Sequence, residues 1–237
     1  MKIVFLLPPS EWKNSENKYD TEELTFNLEK PFNIACNVSE KDLKCIWSRY
    51  DEWITLNKNI KNSWTLEAIN RYSGVMYNSI NYSWMNKDWK KFFEDNFIIF
   101  SWMYWLVKPL DNIWNYKLPI ESKWLYDYWW NNLPKAIKST NPDYIVNLLP
   151  ISYSKLIWLW VTWWKHKEKL EDIMNWWTKI ININFLKPDW KKISHWVKKI
   201  KWEWIKDICE KWIANLSDFW WELIDNNNNV LDINIYS

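Results

Sequence analysis

The apolar positions fall into two patterns, short unbroken runs and three-to-four-residue periodicities, and together they predict strands interspersed with helices. Ile3 to Leu7 is an unbroken apolar run stopping at Pro8-Pro9, as a strand buried on both faces would. Ser10 to Asp20 is polar and aperiodic and reads as a loop. A helix is expected from Ser39: Ser39 and Asp42 resemble a capping box, and Leu43, Ile46, Tyr50 and Ile54 recur at helical steps. Leu66 and Ile69 mark a shorter amphipathic piece, and Lys87 to Asn96 is a helix leading into a compact buried strand, Phe97 to Phe100. Leu125, Tyr128, Trp129, Leu133, Ala136 and Ile137 predict another helix, bent or divided at Pro134. Asp143 to Leu149 is again a buried strand. Ile181, Ile183 and Phe185 alternate with Asn182 and Asn184, the period of a strand with one polar face. Leu231, Ile233 and Ile235 repeat that pattern after a turn at Asn226 to Asn229, and Lys198 to Trp212 is a basic helical segment. The class is α+β (mixed α/β): a central, mostly buried sheet with surrounding helices, in a single domain over residues 1–237, without a sharp linker or solenoid repeat.

Composition changes how the turns must be read. The chain holds 25 tryptophans and one glycine, where average usage of about 7% would give roughly 17 glycines. Tryptophan occupies turn contexts: Glu11-Trp12-Lys13, Asn62-Ser63-Trp64, Asn175-Trp176-Trp177-Thr178 and Pro188-Asp189-Trp190-Lys191. The last reads naturally as a hairpin turn only with glycine at 190. The pattern predicts that the cell places glycine at most of these positions. A UGA codon read as glycine in some bacterial lineages and as tryptophan in the commonest alternative code would produce it. AT-rich coding agrees, since 29 of 31 basic residues are lysine and only Arg49 and Arg71 are arginine.

Charge and cysteines narrow the class further. A formal net charge of +2 compels no acidic partner. Cys36, Cys45 and Cys209 form no CxxC pair, which favours free thiols in a reducing cytosol. Two histidines, His166 and His195, exclude a His-rich metal site. The first apolar run is too short for a signal peptide or membrane span, and no later run is long enough to cross a bilayer. The expectation is a cytoplasmic protein without a membrane partner.

With glycine at Trp102 and Trp105, Ser101 to Asp111 becomes S-G-M-Y-G-L-V-K-P-L-D. This resembles the S-G-L-Y-G-x-L-[RK]-P-L-D signature of the YaaA-like family of peroxide stress proteins. The resemblance continues in Tyr116-Lys117-Leu118, in Leu125 to Trp130 with Trp129 a genuine tryptophan, and upstream in Pro8-Pro9-Ser10-Glu11-Trp12-Lys13. The literal glycine falls in Tyr72-Ser73-Gly74-Val75-Met76-Tyr77, similar to [FY]-x-G-x-x-Y. Val146-Asn147-Leu148 with Tyr153 and Lys155 resembles N-L-x(4)-Y-x-K. Ser194 to Trp202 resembles S-x-x-x-K-x-x-R-G, with Lys198 on the lysine and Lys201 replacing arginine. The motifs keep family order over most of the chain.

The resemblance implies protection from hydroperoxide by limiting iron-driven oxidative damage, a positively charged cleft, and a capacity to bind DNA. Read as residues, Ser10, Glu11 and Lys13 place a hydroxyl, a carboxylate and an ammonium at a strand's carboxyl end, where α/β sheets hold ligands. Lys108, Asp111 and Lys117 cluster near Pro109; lysine grips phosphate as a point charge, and a Lys108–Asp111 salt bridge is the alternative use. Lys191, Lys192, Lys198, Lys199 and Lys201 form a basic stretch without an acid, a nucleic-acid footprint or a solvated helix face. Ser10, Glu11, Lys13, Lys108 and Lys198 are expected to converge on one cleft, with Lys199 and Lys201 joining them as DNA- or anion-binding residues. No nucleophile triad, zinc site or P-loop is evident, so no metal or cofactor is expected. The second reading is an enzyme acting on a phosphorylated or nucleotide-like small molecule in the same cleft, with Glu11 as acid/base and Lys13, Lys108 and Lys198 on anionic groups.

Overall fold

Every side chain of the first strand, β1 (Ile3–Leu7), is buried, as its unbroken apolar run requires. The computed structural model describes residues 2–19, 29–37, 39, 49–118, 125, 140–150, 179–186, 203, 205–206 and 230–236. After β1 come α1 (Glu29–Asn37), α2 (Tyr50–Lys58), β2 (Leu66–Glu67), α3 (Ala68–Arg71), α4 (Val75–Ile80) and α5 (Lys87–Asn96). Strands β3 (Phe97–Ser101), β4 (Trp105–Val107), β5 (Asn112–Ile113), β6 (Tyr144–Asn147), β7 (Lys179–Leu186) and β8 (Val230–Tyr236) follow. The main sheet has the order β4-β3-β1-β6-β7-β8. Neighbours are parallel throughout except β4, which folds back antiparallel on β3. Strands β2 and β5 form a separate antiparallel pair.

Helix α5 shows how local chemistry positions the sheet. The Asn86 side chain caps it by accepting from the Trp89 N–H, and Asp88 lies in its first turn, where the helix dipole favours an anion. Phe93 is buried and stacks on Phe97 at 4.3 Å, and Phe97 stacks in turn on Phe5 at 4.5 Å. One aromatic column therefore ties the helix to β3 and to β1.

The predicted strands at 97, 143, 181 and 231 and the helix at 87–96 are found. The helix expected from Ser39 is described from Tyr50, as α2, and the amphipathic piece at Leu66 and Ile69 divides into β2 and α3. Helix α1 is not evident from apolar spacing; it carries Pro31 in its first turn, where the missing N–H disrupts no intrahelical bond. The expected helices around Leu133 and around Lys199, and the turn at Trp190, lie outside the described residues. On β7, Asn182 does not turn to water: it is buried, and its Oδ1 accepts from Asn147 Nδ2 at 2.9 Å. Among the described residues no helix is long and apolar enough to cross a membrane.

Strand order reverses direction around β1, since β3 lies on one side of it and β6, β7 and β8 continue on the other. Such a switch point opens a crevice beyond the carboxyl ends of the strands, because the following connections leave on opposite faces. The loop from Pro8 to Tyr19 begins there.

Candidate anion site at the carboxyl end of the first strand

The loop after β1 is held by residues 71–77. The Asn14 N–H donates to the Arg71 carbonyl at 2.8 Å, and the Ser73 N–H donates to the Trp12 carbonyl at 3.0 Å. The Tyr77 hydroxyl donates to the Pro8 carbonyl at 2.9 Å. Gly74 has φ +100°, a conformation that calls for glycine, while a Cβ there would meet Ser10 Oγ at an ordinary contact distance of 3.4 Å.

Arg71 clamps the rest of the loop. Fully buried, it donates to the carbonyls of Asn14 and Glu16 at 2.6 Å each, of Ile113 and Trp64 at 3.3 Å each, and to Asn17 Oδ1 at 3.0 Å. Burial pulls its pKa down to about 10. The five oxygen acceptors compensate a cation that has no carboxylate among these contacts.

Lys13 is the chemical centre of the site. Its Nζ stands 4.1 Å from the Tyr116 ring centroid and 5.2 Å from that of Tyr72, and donates to the Ser10 carbonyl at 3.2 Å. Burial holds the Lys13 ammonium well below its usual pKa; Lys117 pushes it further down, Glu11 opposes, and Arg71 adds a smaller downward push. The phenols beneath form a chain. Tyr72 and Tyr116 hydroxyls are 2.9 Å apart, and Tyr116 lies 2.8 Å from Ser101 Oγ, which accepts from the Tyr104 N–H at 3.0 Å. Burial raises the pKa of both Tyr72 and Tyr116, so both stay neutral at physiological pH.

Lys117 completes the group. Its Nζ donates to the Glu11 carbonyl at 2.8 Å, and burial lowers its pKa while Glu52 opposes. Its backbone is fixed by buried Asn57, whose Oδ1 accepts from the Lys117 N–H at 2.9 Å and whose Nδ2 donates to the Lys117 carbonyl at 2.7 Å. Arg49 and Lys117 face the exposed Trp12 ring at 5.3 and 5.9 Å.

Of the residues expected in one cleft, the fold brings together Ser10, Glu11 and Lys13, and adds Lys117. Lys108 is exposed, and the antiparallel course of β4 carries it back from the carboxyl edge, since Val107 pairs with Ile99. Its backbone N–H donates to Asp111 Oδ2 at 2.7 Å. Lys198, Lys199 and Lys201 lie outside the described residues. Arg49, Asn57 and Arg71 were not expected here; in a chain whose other cations are lysine, the two arginines were the available signal. Burial pushes the Cys36 thiol's pKa up, with Lys61 and Lys58 opposing, which disfavours its thiolate form.

A base with a lowered folded-state pKa binds fewer protons folded than unfolded, so it costs stability at neutral pH and the cost fades as pH rises towards the unfolded value. Lys13→Met is therefore expected to raise Tm at pH 7. The gain should shrink from the lowered Lys13 pKa up to its ordinary 10.5. Thermal melts of both proteins from pH 6 to 10 check it; a lower Tm for the variant at pH 7 would show that the ammonium is well compensated.

The family model described as peroxide stress protein YaaA matches residues 1–222. The chain is 30% identical over 139 residues to a UPF0246 protein of Lachnoclostridium phytofermentans, covering 53% of this chain and 54% of the relative. It is 34% identical over 118 residues to one of Malacoplasma penetrans, covering 46% and 48%. To one of Clostridioides difficile it is 28% identical over 170 residues, covering 65% and 68%. The matched stretch spans about half the length of the first two relatives.

Proposed function

The chain belongs to the peroxide stress protein YaaA family, and on that premise we propose that it limits iron-dependent oxidative damage in the cytoplasm through a basic cleft that binds DNA phosphates. The observation that carries this reading is the gathering of Lys13, Lys117 and Arg49 around the Ser10–Lys13 loop at the strand switch point. Among the described residues, Glu11 and Glu52 are the carboxylates that act on Lys117. Phosphate contacts from lysine position a nucleic acid without reading its sequence, so binding is tolerant of sequence and steeply salt-dependent. The basic stretch Lys191 to Lys201 extends the same chemistry along the chain. Protection of this kind acts by binding and calls for no thiol redox cycle.

Replacing Lys198, Lys199 and Lys201 together by alanine is expected to weaken binding to all duplexes alike. It should reduce the slope of log K against log salt by roughly 0.9 per lost phosphate contact. Fluorescence anisotropy on unrelated duplexes between low and moderate salt measures both quantities. An unchanged slope removes this segment from the interface, and no binding at low salt by folded protein removes DNA.

A second reading, an enzyme acting on a phosphorylated or nucleotide-like small molecule, is favoured by one feature. Lys13 stands among aromatic rings, and an enclosed amine suits a small ligand better than an open groove does.

A further inference from the structure

The Lys13 ε-amine lies over the Tyr116 ring with Tyr72 beside it, while part of the residue remains in contact with solvent. Its near polar neighbour is the Ser10 carbonyl at 3.2 Å, which accepts one proton and supplies no charge. A second cation, Lys117, is anchored close by through the Glu11 carbonyl and through Asn57. We propose that Lys13 is a nucleophile that forms a reversible imine with a small anionic aldehyde or ketone, whose anionic group rests on Lys117. This rests on the reading of the site as an anion-binding one and names the substrate class.

A lysine amine becomes nucleophilic near neutral pH when it is desolvated or set beside another cation, and here both conditions hold. Burial and Lys117 favour the neutral amine, Arg71 adds to them, and Glu11 opposes. The facing phenols, Tyr72 and Tyr116, are neutral; their rings attract a cation through the ring quadrupole but carry no net counter-charge. The step balances without an oxidant or reductant. The nitrogen lone pair forms a C–N bond to the carbonyl carbon, and the C=O π pair moves to oxygen, which takes a proton. The nitrogen gives one proton to solvent, and the resulting hydroxyl takes a second proton and leaves as water while the nitrogen lone pair forms the C=N bond. Loss of the last N–H proton then leaves the neutral imine, so the oxygen has gained the two protons that the nitrogen gave up. Hydrolysis reverses each transfer.

Pyridoxal 5′-phosphate, an aldehyde carrying a phosphate, serves as the probe on the full chain, with borohydride to fix the imine and peptide mass mapping to locate it. At pH 7 Lys13 is expected to label roughly ten-fold or more faster than the exposed lysines, because burial leaves a larger share of its amine neutral. Millimolar inorganic phosphate should slow Lys13 and leave the exposed lysines unchanged. Lys117→Met should slow pyridoxal phosphate more than it slows propionaldehyde, which has no anion to hold. Labelling of Lys13 no faster than surface lysines, in wild-type protein with an unaltered circular dichroism spectrum, overturns the proposal. Fast labelling that phosphate does not slow supports the nucleophile and overturns the anion-site reading instead, so the two failures are distinct.

Discussion

Arg71→Met is expected to destabilise the protein by about 3 kcal/mol, a fall in Tm of roughly 6–12 °C for a chain of this size. The side chain is fully buried and satisfies four backbone carbonyls and Asn17 Oδ1 from three different segments. Methionine keeps much of the volume and none of the donors, so these oxygens must find water or remain unpaired. Lysine is not expected to rescue, because one ammonium cannot span acceptors that the planar fork reaches from both edges. The loop from Asn14 to Asn17 should loosen first, carrying Lys13 away from Tyr116. Urea denaturation gives the stability, and hydrogen exchange in residues 12–18 gives the loosening. A loss below about 1 kcal/mol would mean that solvent replaces the guanidinium at little cost.

The protein isolated from its own organism is expected to have an intact mass well below the 29.5 kDa of the tryptophan-bearing chain. The backbone supplies the physical reason. Trp105 has φ +75°, left-handed backbone that a bulky side chain adopts only under strain and glycine adopts freely. It directly follows the three-residue turn Trp102–Tyr104 between β3 and β4, at the position where such hairpins place glycine. Trp12, in the loop after β1, is 58% exposed, and Trp84 is 84% exposed. Trp114 buries an indole N–H with no acceptor among the described residues. Positive φ falls on Trp105 and, among the described residues, not on Trp12 or Trp102, although both lie in loop or turn as expected. Electrospray mass spectrometry of native protein decides the matter, and a mass near 29.5 kDa would falsify the glycine reading. The tryptophan codons in the coding DNA offer an independent check.

Much of the sheet was legible because a buried parallel strand needs an unbroken apolar run, and Ile3–Leu7, Phe97–Phe100 and Tyr144–Val146 supply one. Helix α5 was also expected from the sequence, and it spans Lys87–Asn96. The resemblance to YaaA-like proteins also stood in the chain itself, once glycine was read at Trp102 and Trp105. Order among the strands was not legible. Nothing local states that β3 pairs with one side of β1 and β6 with the other, because that choice depends on which crossovers bury the most apolar surface at once.

The candidate site divides in the same way. Ser10, Glu11 and Lys13 could be named from sequence, since a polar cluster directly after a buried strand must emerge at that strand's end. Lys117 is 104 positions from Lys13 by numbering, and only the fold sets its ammonium on the Glu11 carbonyl. The meaning of Arg71 as a clamp and of Asn57 as an anchor likewise depends on long-range acceptors, the carbonyls of Asn14, Glu16, Ile113 and Lys117. Sequence determined which residues could carry charge and which runs must be buried. Tertiary structure alone decided that Lys13 loses its water to Tyr72 and Tyr116, because desolvation is a property of what surrounds a group and not of its neighbours in the chain.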